Sequence, residues 1–193
     1  METKHKNSEI SFKLSVGIRL SAPNEPSEFF EKTDGGFFVY PSADKMIKLL
    51  SSAADALDEP MFFFLELPDE DENGMLDYST YYLECTKPVA KAIVKRYGEL
   101  LINDGVSRFG FGSHKSGEEI YFEALQRVYI CTSRCGKFSQ MLSSIGIDEG
   151  AGQTVFDLFD PEKDDLSLVE IDGETVFDAA ENLKSAGLYL AEE

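Results

Sequence analysis

The segment from Gly110 to Glu119 holds the residues with the clearest potential for catalysis. The chain has two histidines, and His114 is the one that lies outside the N-terminal stretch, so it is the best candidate general base. Glu118 and Glu119 follow closely in sequence and could exchange protons with it. The segment therefore indicates, as the alternative function, a small-molecule enzyme of undefined class with His114, Glu118 and Glu119 at its site.

The glycines of this segment have the spacing of a phosphate-binding loop without its chemistry. Gly112 and Gly117 are separated by four residues, as in such a loop. The loop should continue with lysine and then serine or threonine, where this chain has Glu118 and Glu119. Because two carboxylates repel phosphate, we expect these glycines to shape a hairpin, with Gly117 at positive φ.

Residues 69–80 resemble the EF-hand calcium loop in the spacing of their side-chain oxygens. The four candidate ligands are Asp69, Asp71, Asn73 and Asp77. The segment ends on Thr80, where the calcium loop has a glutamate whose two oxygens complete the coordination. It also follows a strand-like run instead of a helix. The sequence therefore predicts a solvated acidic hairpin turn and no metal site.

The three cysteines favour a reducing compartment and no cofactor. Cys131 and Cys135 are separated by three residues, but no second pair of ligands accompanies them, so they do not predict a zinc site. Together with Cys85 they are sparse and odd in number, which is typical of reduced thiols in the cytoplasm. The longest apolar run, Met61–Leu65, is too short to span a membrane.

Negative charge is concentrated at the C-terminal end of the chain. The protein has 36 acidic and 18 basic side chains, a net charge of −18. Residues 146–193 hold 14 acids and two lysines, which accounts for −12 of that charge. Such a surface repels nucleic acid and anionic lipid and attracts cationic proteins. Residues 107–137 carry a small excess of cations, which we expect to pair with this acidic segment.

The charge distribution predicts a non-enzymatic, acidic protein-binding module that engages a basic protein. The residues expected to contact the partner are Asp157, Asp160, Asp164, Asp165, Glu170, Asp172 and Tyr189. Tyr78 and Tyr81 are further aromatic candidates for the interface. In composition alone the chain resembles the immunity proteins that inhibit basic toxin domains, and this resemblance implies an inhibitor. A subunit of a larger complex, or a charge that serves solubility alone, has the same sequence signature.

Apolar periodicity predicts an α+β fold over residues 1–145. Residues 10–20 alternate strictly between apolar and small or polar side chains, which predicts a half-buried strand. A helix capped by Ser42 and another that starts at Thr86 alternate with strands at 37–40, 61–67 and 76–85. A hairpin with arms at 106–112 and 119–132 follows, and a third helix ends at Gly146.

The acidic segment 146–193 is expected to pack on the same core as a strand and a helix. The strand is predicted at 166–171, followed by a turn at Asp172-Gly173 and a helix over about 175–188. Residues 152–157 echo residues 173–178, which we interpret as two helix starts that use the same threonine cap. The whole chain then forms one compact domain, with a mixed or antiparallel sheet and three or four packed helices.

Overall fold

The computed structural model describes residues 11–70 and 76–191. Its strands are β1 (Ile18–Arg19), β2 (Phe29–Thr33), β3 (Gly36–Tyr40), β4 (Met61–Glu70), β5 (Leu76–Cys85), β6 (Arg108–Ser113), β7 (Glu119–Phe122), β8 (Val128–Cys131), β9 (Asp165–Leu166) and β10 (Tyr189–Leu190). Its helices are α1 (Ala43–Ala56), α2 (Lys87–Asn103), α3 (Cys135–Ser144), α4 (Val155–Leu158) and α5 (Val176–Lys184), with a 3₁₀ turn at Ala124–Gln126. None of the described helices has the length and apolar character needed to cross a membrane.

Eight of the strands form one sheet in the order β10-β5-β4-β6-β7-β8-β3-β2, and every neighbouring pair is antiparallel. The two short strands β1 and β9 pair separately. The prediction of a single compact α+β fold is confirmed. The described part of the chain has five helices where three or four were expected, and the additional one is the single turn α4.

Helices α1, α2, α3 and α5 pack on one face of this sheet, where alternate residues of the strands form the core with them. On β4, Met61, Phe63 and Leu65 are fully buried in the core with apolar side chains of α1, α2 and α5. The intervening Phe62 and Phe64 point to the opposite face. Because residues on both faces of β4 are apolar, hydrophobicity along this strand does not indicate which face the helices cover.

The predicted strand at 10–20 is wrong over most of its described length. Only Ile18–Arg19 is a strand, and the preceding residues turn at Val16 and Gly17. Gly17 donates to the carbonyl of Asn103 over 2.8 Å and accepts from the Ser167 N–H over 2.9 Å. Backbone contacts with two distant segments thus replace a strand ladder. Alternation along the sequence could not reveal them.

The second arm of the predicted hairpin is two strands instead of one. β7 and β8 pair with each other across a tight turn in which Leu125 and Gln126 adopt positive φ. Two left-handed residues are costly, but the Gln126 side chain is buried and fully bonded. It accepts from the Ser15 N–H and donates to the carbonyls of Lys13 and Pro41.

The segment from residue 146 runs from one edge of the sheet to the other. Near its start, Gly150 donates to the Phe30 carbonyl on β2, and near its end Tyr189 pairs with Tyr82 on β5. The predicted strand at 166–171 is wrong: only Asp165–Leu166 pairs as a strand, while Val169 N–H bonds to the buried Asp104 carboxylate over 3.1 Å.

The two echoed sequences are helix starts, as predicted. Thr154 and Thr175 each accept from the backbone N–H of the aspartate three residues later, and that aspartate accepts from the threonine N–H in return. These hydrogen bonds lower the pKa of both Asp157 and Asp178. The same local signal therefore starts α4 and α5, although only α5 extends beyond one turn.

Candidate functional site

The face of the sheet that points away from the helices is the most distinctive surface of the protein. Most of its side chains are half-buried or exposed, in contrast to the closed core on the other face. Glutamates and aromatic side chains dominate it. We call this surface the open face.

A row of aromatic side chains crosses the open face at one level. The strand register places six of them side by side across seven neighbouring strands: Tyr189, Tyr82, Phe64, Tyr121, Tyr129 and Phe38. Ring centroids lie 6.5 Å apart for Tyr82 and Tyr189, and 6.3 Å for Phe64 and Tyr82. We call this set the aromatic row.

The missing member of the aromatic row is Gly110 on β6. A Cβ atom there would overlap the Phe64 ring, so the absence of a side chain makes room for that ring. Phe64 then reaches across β6 to Tyr121, with ring centroids 5.3 Å apart. Gly112 accommodates the Phe62 ring in the same way, since a Cβ atom there would overlap that ring. These glycines serve aromatic packing on the open face. Gly117, at φ +65°, forms the turn as predicted.

Glutamates flank the aromatic row on both sides. On one side the Tyr121 hydroxyl donates to Glu66 over 2.6 Å, and Arg108 lies 3.7 Å from the same carboxylate. On the other side Glu84 and Glu119 occupy the neighbouring level. Burial and the charge of Glu66 raise the pKa of Glu119, while burial and the hydrogen bond to Glu66 raise the pKa of Tyr121. The open face therefore carries several negative charges, and the Glu119 carboxylate among them is partly desolvated.

The residues of the predicted enzyme site do not converge. His114 Nε2 lies 2.9 Å from Glu84, and its ring packs on Phe62 at 4.8 Å. Glu119 is on the open face, whereas the Glu118 side chain is 2% exposed and bonds to Thr132 and Arg134. Burial alone would raise the pKa of Glu118, but its hydrogen bonds to Arg134, Thr132 and Ser116 lower it to about 2. Such a carboxylate stays ionised and is unsuited to proton transfer at neutral pH.

The residues of the predicted partner surface are spread over the molecule. Asp157 is in α4, beside the β3 end of the sheet, where it influences Tyr40. Tyr189 is on β10 at the opposite edge, and six strand spacings of about 4.8 Å separate β10 from β3. Asp157 and Tyr189 therefore lie near opposite edges of the sheet, although they are close in sequence.

Several of these acids already have partners within the chain. Asp164 accepts from the Ser21 and Asp160 backbone N–H groups, and Asp160 pairs with Lys163. These contacts lower the pKa of both aspartates. The other acidic candidates, Asp165, Glu170 and Asp172, are solvent-exposed, and Asp172 has positive φ in the predicted turn.

The central cations do not pair with the acidic segment as expected. Arg108 lies beside Glu66, Arg134 contacts Glu118 and Asp58, and Arg127 bonds to Glu123 over 2.5 Å. All of these partners precede residue 146. Within the described residues, the ion pairs that join the acidic segment to the rest of the domain are instead Glu149 with Lys32 and Glu174 with Arg96.

Two of the four calcium-loop candidates lie within the described residues. Asp69 and Asp77 face each other in the β4–β5 register, and Asp69 accepts from Ser79 over 3.0 Å. Asp71 and Asn73 lie outside the described residues. Within the described ranges, no group of three or more histidine, cysteine or acidic side chains is arranged to hold a metal ion.

A cleft in the helix layer lies between α1 and α2, has a volume of about 510 Å³ and is lined by aliphatic side chains, lysines and acids. Its lining includes none of His114, Glu118 and Glu119. Sequence reasoning placed neither this cleft nor the aromatic row. The apolar side chains at alternate positions of β4, Phe62 and Phe64, were the one available sign of a second aromatic face.

A scan against protein-family models finds no match for this chain, and searches of curated proteins and of solved structures find none either.

Proposed function

We propose that the protein is a non-enzymatic binding module that engages a cationic protein through its open face. The observation that carries the proposal is the aromatic row with glutamates on both sides. Tyrosine and other aromatic side chains supply most of the binding energy in many interfaces. The acidic composition also supports a basic protein partner. The most specific version of this proposal is an inhibitor of a basic toxin domain. Three free thiols support a cytoplasmic setting.

The open face is large enough for a stable interface. Eight strands spaced by about 4.8 Å span roughly 34 Å, and strands of about six residues are roughly 20 Å long. The resulting area of about 700 Å² approaches the roughly 800 Å² that each partner contributes to a standard interface. Side chains held on a hydrogen-bonded sheet also lose little conformational freedom on binding.

Charge argues for a basic partner and against a second copy of this chain. The strand positions on the open face include Glu31, Glu66, Glu84 and Glu119 against Arg108. Two such faces brought together would place carboxylates against carboxylates, in molecules that each carry −18. A cationic surface instead gains attraction over the whole face.

The acidic C-terminal segment has a different part in this proposal. Its exposed acids Asp165 and Glu170 are not among the strand positions of the open face, so we assign them to long-range attraction of the partner. Reversing charge at Asp165 and Glu170 is then expected to slow association and to leave dissociation nearly unchanged. Rapid-mixing binding kinetics at two salt concentrations would measure both rates. A faster dissociation would place these acids in the interface.

Capture from host lysate at low salt, followed by salt elution, tests the proposed function. We expect a basic protein to be retained by the natural chain and by Ile47→Ala, since Ile47 is a 40% exposed residue of α1 on the helix layer. Tyr82→Ala removes the ring that contacts both Phe64 and Tyr189. It should weaken binding of that protein by about 2 kcal/mol, roughly 30-fold in Kd. Equal binding by the two variants would contradict the proposal.

A further inference from the structure

Two arginines of the chain itself show which cation suits the open face. The Arg108 guanidinium lies 3.9 Å from the Tyr78 ring centroid and 3.7 Å from Glu66. Arg127 lies 5.3 Å from the Phe38 ring centroid, and it bonds to Glu123. In both places a planar guanidinium stacks on an aromatic ring and pairs with a glutamate.

A third combination of rings and glutamate on this face has no cation. Glu119 lies opposite Gly112, and the Phe62 ring covers that glycine from the next strand. Glu119 is also close enough to Tyr82 for its charge to raise the pKa of that phenol. Among the described residues, no lysine, arginine or histidine forms an ion pair with Glu119. His114, which also packs on the Phe62 ring, pairs with Glu84.

The burial of Glu119 makes the missing cation significant. Its carboxylate is partly desolvated and feels the charge of Glu66, and both effects raise its pKa. An unpaired, half-buried carboxylate is unfavourable unless a cation is supplied from outside. Glu66, by comparison, already has Tyr121 and Arg108. Glu119 is therefore a partly buried carboxylate of the open face that has no ion-pair partner among the described residues.

We infer that Glu119, with the rings of Phe62 and Tyr82, receives an arginine side chain of the partner protein. This inference rests on the proposed function and names the residue type that the open face selects. A guanidinium can stack flat on a ring while it donates two hydrogen bonds to the carboxylate. A lysine ammonium is more strongly hydrated and offers no flat surface, so it is the poorer ligand.

Short polyarginine and polylysine peptides of equal length, carrying a fluorophore, provide the test. Fluorescence anisotropy at physiological salt should show about tenfold tighter binding of polyarginine by the natural chain. Glu119→Gln should abolish this preference. Glu31→Gln removes an equal charge from an exposed position at the β2 edge of the same face, and it should retain the preference. Unfolding midpoints of both variants would verify that they are folded.

Each alternative outcome bears on a different claim. Equal affinity for the two peptides, reduced by Tyr82→Ala, would overturn the arginine inference and leave the proposed function standing. A preference that persists in Glu119→Gln, or that falls equally in Glu31→Gln, would also overturn it, because the preference would then not depend on Glu119 in particular. Binding of neither peptide, even at low salt, would contradict the inference and the proposed function together.

Discussion

Gly105→Ala is expected to lower the free energy of unfolding by about 3 kcal/mol. A Cβ atom at this position would overlap the Gly17 carbonyl oxygen and lie 2.8 Å from its carbon. It would also lie 3.0 Å from the Ser167 nitrogen. All of these neighbours are backbone atoms, so no side-chain rotation can relieve the clash. Urea denaturation followed by circular dichroism would measure the loss.

Gly136→Ala is the matched control for this substitution. Gly136 lies in the first turn of α3, and a Cβ atom there would meet nothing within 4 Å. Alanine in a helix is favoured over glycine by about 0.5–1 kcal/mol, so this variant should be slightly more stable than the natural chain. Similar stabilities for the two variants would show that the close contact of Gly17, Gly105 and Ser167 is not formed in solution.

Glu118→Gln and Glu119→Gln should shift stability in opposite directions, although the two residues are adjacent. Glu118 is buried and accepts from Thr132 and Arg134, so the neutral amide would leave strong hydrogen bonds unmade. We expect a loss of about 2 kcal/mol at neutral pH, because Arg134 remains 40% exposed and keeps Asp58 as a partner. Glu119→Gln removes a disfavoured charge and should leave the protein equally or more stable.

The pH dependence of unfolding separates these two effects. The folded-state pKa of Glu118 is about 2, below its ordinary value of 4.5. Its stabilisation is therefore complete above pH 4.5 and is lost as the pH falls toward 2. The pKa of Glu119 is raised, so its contribution is favourable below 4.5 and is lost as the pH rises through the folded-state value. The difference in unfolding free energy between each variant and the natural chain should therefore decrease as the pH falls. A Glu118→Gln difference that is constant down to pH 2 would contradict this account.

The parts of the fold that the sequence predicted are those governed by local signals. α1 and α2 begin where Ser42 and Thr86 predicted, and Pro88 lies in the first turn of α2. The two threonine caps at Thr154 and Thr175 could also be predicted, because each involves only four consecutive residues. The failures at 10–20 and 166–171 share one cause. Both segments contact each other and Gly105 through the backbone, and side-chain alternation carries no information about such contacts.

The candidate site could not be predicted because it depends on strand register. Tyr82 and Phe38 are 44 positions apart in sequence, yet they share one row because each successive pairing aligns them. Of the three tyrosines expected at an interface, Tyr189 lies in the aromatic row and Tyr78 contacts Arg108 on the open face. Tyr81, one residue away from Tyr82, instead packs against the core. A shift of one residue exchanges the two faces of a strand. The prediction of a contact surface on the C-terminal segment has the converse weakness. Its residues are close in sequence, but the segment runs from one edge of the sheet to the other.

The path of the C-terminal segment protects the sheet from self-association. An uncovered edge strand presents unpaired N–H and C=O groups that can recruit another chain and start aggregation. Here Gly150 and its neighbours hydrogen-bond along β2 at one edge, and β10 pairs with β5 at the other. Stretches of both edges are thus paired with the most negatively charged part of the chain, which adds repulsion to hydrogen bonding. Loss of this segment would expose these stretches at once, and each could then recruit a strand of another chain.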